Sequence, residues 1–121
     1  MADSSQRIIS EDPPCVGVQV RIRGPVFEGP ALLDTGYGGT LIIPDSLVAL
    51  LGQGDTTSTI IVADGRPVES PVYFGSLEIN GLTPIPLLPI AAIGNEFILG
   101  RGFMNRYRVC FDHGERVIIE T

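Results

Sequence analysis

A chain of 121 residues and 12.9 kDa holds one domain with a core of useful size and has no room for two. With 44% hydrophobic and 18% charged residues, it is too apolar for a disordered segment. Fourteen Asp and Glu against eight Lys and Arg give a net charge of −6, so a phosphate backbone or an anionic membrane surface is repelled and neither nucleic acid nor membrane is an expected partner.

Fifteen Gly and ten Pro punctuate the chain too often for long helices, which points to an all-β domain. Residues 1–14 are polar, end in Glu11-Asp12-Pro13-Pro14, and read as a loose N-terminal arm. Met1 to Arg7 lacks the apolar stretch of a signal peptide, and no run approaches the ~18 apolar residues of a membrane span, so the cytoplasm is the expected compartment. The domain proper is expected over 15–121. Cys15 to Arg23 alternates, with Val16, Val18, Val20 and Ile22 on one face, which predicts a half-buried strand. Val26 to Leu33 predicts a second strand interrupted at Gly29-Pro30, followed by a tight turn over Asp34 to Gly39. Thr40 to Ile43 is a short strand closed by Pro44, and Asp45 to Gly52 has the spacing of one or two helical turns.

Thr56 to Ala63, Asp64-Gly65 and Arg66 to Phe74 read as a two-residue hairpin, with Pro67 and Pro71 holding the return strand at an edge. Asn80-Gly81 predicts another hairpin, and Ile85 to Ile93 a buried extended segment. Arg101 to Tyr107 is a second short helix, and His113-Gly114 turns a final hairpin. Val117-Ile118-Ile119 is too apolar for a free edge, so the chain termini are expected to lend strands to an interface. Cys15 and Cys110 sit in apolar runs and read as buried free thiols; with the single His113 they fall short of a zinc ligand set, and no metal site is expected.

Chemistry concentrates in Ala31-Leu32-Leu33-Asp34-Thr35-Gly36. A carboxylate directly after three apolar residues is held at the end of a buried strand, with a hydroxyl and a backbone N–H at close range. Alone, Asp-Thr-Gly is a turn tripeptide. Downstream, however, Ile98-Leu99-Gly100-Arg101 repeats the apolar-apolar-Gly pattern, and the Asp64-Gly65 hairpin lies between the two.

These three elements, in this order, resemble the retropepsin-like aspartic proteases, the bacterial members more than the retroviral ones. The resemblance spans roughly residues 15–121. It implies a closed acid-protease β-barrel with one or two short helices, working as a homodimer on peptide or protein substrates. Two Asp34 carboxylates, one per subunit, would share a proton and activate a water. Thr35 would brace the pair and the Gly36 N–H would support the carboxylate. Tyr37, Gly38 and the hairpin residues Ala63, Asp64 and Gly65, the latter three as a flap, would contact substrate. No metal and no cofactor are implied.

Tyr37-Gly38-Gly39 departs from the acidic residues that retroviral members use to grip substrate and to pair with the later arginine. The partner of Arg101 is therefore left open; by its residue type it reads as a member of a buried structural ion pair rather than a substrate ligand. Tyr37 lines a subsite or covers the dimer seam. The competing function is a catalytically silent module that keeps the fold for dimerisation or peptide binding. An intact Asp-Thr-Gly favours the enzyme, because a scaffold has no use for a carboxylate pair that opposes dimerisation.

Overall fold

The computed structural model describes residues 5–121; residues 1–4 of the expected arm lie outside the described residues. In chain order the elements are β1 (Arg7–Ser10), β2 (Cys15–Arg21), β3 (Val26–Leu33), β4 (Leu41–Ile43), a single 3-10 turn (Asp45–Leu47) running into α1 (Val48–Leu51), β5 (Thr56–Ile61), β6 (Pro67–Glu78), β7 (Ile85–Ala92), β8 (Phe97–Leu99), α2 (Arg101–Met104), β9 (Arg108–Asp112) and β10 (Arg116–Glu120). Strands take up 53% of the described residues, in keeping with the chain's β-branched runs.

Strands β2, β3, β8, β4, β7 and β6 hydrogen-bond in that order, and β6 returns to β2 through Gln19↔Glu78, Val20↔Leu77 and Arg21↔Ser76. The result is the expected closed barrel. Its interior is filled by one side of each strand, including Val16, Val18 and Val20 of β2, Leu88 and Ile90 of β7, and Leu99 of β8. Closure depends on Gly75, where a Cβ would stand 2.3 Å from the Arg21 carbonyl oxygen. No other residue lets β6 and β2 approach so closely. Strand β5 lies outside the ring, paired only with β6.

Several expectations are corrected. Part of the segment read as a loose arm is a strand: β1 pairs with β10 from Arg7↔Glu120 to Ser10↔Val117, because Ile8 has an apolar neighbour in Ile119. Strand β3 runs unbroken through Gly29-Pro30, since Gly29 packs under the Phe97 ring and Pro30 precedes the β8 pairing that begins at Ala31. Only the first part of β6, from Pro67 to Pro71, has β5 as its sole neighbour; from Val72 onward it is an inner strand. Strand β10 is no edge either, for it lies between β1 and β9 in a separate three-stranded sheet. Its apolar residues find their partners within the chain, with Val117 and Ile119 fully buried. Cys110 is exposed rather than buried because β9 turns that side outward, while Cys15 is half-buried.

Candidate active site

Asp34 stands one residue beyond the end of β3. β8 is inserted between β3 and β4, parallel to the first (Leu33↔Leu99) and antiparallel to the second (Leu41↔Leu99). The Asp34 N–H donates to the Leu99 carbonyl at 2.9 Å, so the strand carries the carboxylate to its last hydrogen bond and then releases it. The Gly36 N–H donates to Asp34 Oδ1 at 2.8 Å, and the Tyr37 N–H to the Asp34 carbonyl at 3.2 Å. This is an Asx-type turn that fixes one carboxylate oxygen and leaves Oδ2 without a hydrogen bond among the described residues. Asp34 is half-buried, while Thr35 is exposed and its hydroxyl makes no hydrogen bond among the described residues.

Residues 37–40 close against the start of α2. The Gly100 N–H donates to the Thr40 carbonyl at 3.0 Å, the Arg101 N–H to the Tyr37 carbonyl at 2.8 Å, and the Gly102 N–H to the Gly39 carbonyl at 2.9 Å. The Tyr37 ring folds over Gly39 and against Gly100, where a Cβ would stand 2.5 Å from Tyr37 Cδ2. Tyr37 is thus a filler of the loop, and its burial pushes the phenol pKa up.

Arg101 is exposed and makes no ion pair among the described residues, contrary to the buried pair expected of it. Its side chain turns back on the Asp34 turn, with Nη1 donating to the Thr35 carbonyl at 2.6 Å. A Cβ on Gly38 would stand 3.0 Å from Nη2. The structure therefore brings Asp34, Thr35, Gly36, Tyr37, Gly38 and Arg101 together.

The tip of the β5–β6 hairpin is a separate, exposed unit. Its loop has three residues, Ala63-Asp64-Gly65, rather than two. The Gly65 N–H donates to the Val62 carbonyl, Val62 and Arg66 close the ladder, and Gly65 takes a φ of +88°. This is a type I turn with a glycine bulge, which places the left-handed residue after the turn instead of within it. Asp64 pairs with Arg66 at 2.6 Å, and the tip's hydrogen bonds stay within the loop. The close approach of Gly39 to Gly100 and Gly102 is the part of this cluster that the sequence did not indicate; Gly39 reads there only as a turn residue.

Among the described residues, no group of three or more His, Cys, Asp or Glu is arranged to hold a metal ion. No helix of the described residues is long and apolar enough to cross a membrane.

No protein-family profile and no curated protein matches this chain. Solved structures do match. A retropepsin-like aspartic protease from Rickettsia conorii superposes with a TM-score of 0.66, at 15% identity, over 99% of this chain and 96% of that one. The protease of Simian Foamy Virus (mac) covers 74% of this chain and 91% of its own, with a TM-score of 0.49 and 16% identity. The fold is that of the retropepsin-like aspartic proteases.

Proposed function

We propose that this retropepsin-like chain is an aspartic endopeptidase that acts as a homodimer. The observation that carries the reading is the Asp34 carboxylate, fixed through Oδ1 by the Gly36 N–H and open at Oδ2, at the end of a barrel strand. One carboxylate cannot at once take a proton from water and give one to the scissile carbonyl. Within the chain, Asp34 has no second acid–base group as a hydrogen-bond partner among the described residues. A second copy supplies it. Two Asp34 side chains at a two-fold axis hold a single proton between them, because like charges that close do not both ionise cheaply; aspartic proteases as a class work through such a dyad. The ionised member activates a water, and the protonated member hydrogen-bonds the carbonyl under attack.

The free Thr35 hydroxyl is available to brace the neighbouring turn of the second copy, and Ala63-Asp64-Gly65 forms the tip of a flap that closes over the peptide. Two unpaired cysteines suit a reducing compartment, the cytoplasm. The intact Asp-Thr-Gly argues against a silent scaffold.

The test is digestion of a diverse peptide library by the wild-type protein and by Asp34→Asn, with sequencing of the cut sites. Cleavage by the wild type that drops by roughly 10²–10⁴-fold in the variant supports the reading. Equal cleavage by both proteins, or none by the wild type at any pH, overturns it.

A further inference from the structure

The guanidinium of Arg101 stands beside the Asp34 turn, and no ion pair neutralises it among the described residues. Its Nη1 is held by the Thr35 carbonyl at 2.6 Å, and its backbone N–H by the Tyr37 carbonyl at 2.8 Å, so both ends of the residue are positioned. Nη2 faces Gly38, which offers no side chain. No carboxylate pairs with Arg101 among the described residues, Asp34 included. The other cation near the proposed cleft, Arg66 on the flap, is already paired with Asp64 at 2.6 Å.

An arginine held in one orientation, exposed, and left with free donors matches a carboxylate better than any other peptide group. We propose that Arg101 is a specificity-determining residue that reads an acidic side chain of the peptide substrate. The inference rests on the protease reading above and deepens it by naming the substrate class. Because the guanidinium is anchored on the residue next to Asp34, and extended peptide advances about 3.3 Å per residue, the acidic position lies within about three residues of the scissile bond. The chain's net charge of −6 works against an acidic peptide at long range. That field is screened over about 8 Å at physiological ionic strength, so the local contact decides.

The test uses peptides that differ only in Glu or Gln at each position flanking the cut. It reads kcat/KM with active protein and peptide affinity, by fluorescence anisotropy, with Asp34→Asn protein. Wild type is expected to favour Glu over Gln at one position by about three- to tenfold, the range for a partly exposed charge pair. Arg101→Gln should bring that ratio to about one. Where Arg101→Gln fails to fold, Gly38→Asp serves instead, since it places a carboxylate of the chain beside Nη2 and should lower the same ratio.

The same Glu preference should appear in the affinity of the Asp34→Asn protein and vanish on adding either change. Cleavage with no Glu preference, or with a preference that neither variant alters, overturns the role of Arg101 while leaving the protease reading intact; neutralisation of Arg101 by a carboxylate of the second copy would have this result. Glu-selective binding without cleavage by the wild type overturns the protease reading and keeps the cation site. Neither cleavage nor selective binding overturns both.

Discussion

A methyl group on Gly100 would stand 2.3 Å from the Gly39 carbonyl oxygen, with the Tyr37 ring and carbonyl almost as near. The contact is backbone against backbone, so no rotamer change relieves it. Gly100→Ala is therefore expected to destabilise the fold by about 3 kcal/mol or more and to displace the Asp34 turn through residues 37–40. Chemical denaturation measures the first effect. A stability loss under ~1 kcal/mol would show that the two backbones are free to separate.

Bringing two Asp34 carboxylates together costs electrostatic energy unless a proton is shared. Asp34→Asn removes that cost while nearly keeping the side chain's shape. Sedimentation should find the variant dimer at least as tight as wild type. A wild-type monomer at working concentration with full proteolysis would exclude the shared site.

If the pair carries one proton when active, the rate falls both when the proton is lost and when a second is gained. The profile of kcat/KM against pH is expected to be bell-shaped with an optimum on the acidic side of neutral. A single limb, or a flat profile, contradicts a dyad.

Gly65 has open space around it and a φ of +88°. Gly65→Val thus has open space at Cβ but strains the backbone, at a cost of about 1–2 kcal/mol. If the hairpin is the proposed flap, the substitution's effect on kcat/KM should exceed its effect on stability, because the change alters how the tip is presented. A thermal melt beside a kinetic assay separates the two, and unchanged kcat/KM would remove the hairpin from the catalytic cycle.

Asp112 receives hydrogen bonds from Arg116 Nε at 2.7 Å and from His113 at 2.6 Å, and these hold its carboxyl below the usual range. A depressed carboxylate stabilises the fold fully above its unfolded value of about 3.9 and loses that contribution as pH falls through the folded value. An NMR titration of Asp112 should move upward in Arg116→Gln. No movement would mean that the β9–β10 turn pair is absent in solution.

Period-two alternation made β2 legible, and glycine and proline placed most turns, including His113-Gly114, where both residues take positive φ. Asp34-Thr35-Gly36 and Ile98-Leu99-Gly100 were legible as two halves of a site. What alternation does not carry is which strands meet. Nothing local in Phe97-Ile98-Leu99 says that it slots between β3 and β4, or that Arg7–Ser10 pairs at the far end of the chain. That Arg101 makes no ion pair among the described residues was likewise hidden, since an ion pair is a property of neighbours in space. Asp64-Gly65 sufficed to place the β5–β6 hairpin, but its loop length depended on where Gly65 took its positive φ.

The pairing of β1 with β10 joins residues near opposite ends of the described chain, and β8 reaches β3 only after the β5–β6 hairpin and β7 have been made. Such distant partners raise the contact order and place this domain among the slow, millisecond-to-second folders. The β5–β6 and β9–β10 hairpins need only short loops and can form early. The strand that supports Asp34 therefore locks late. Until it does, the β8-facing edge of β3 stands unpaired, and this is a segment on which a chaperone would act.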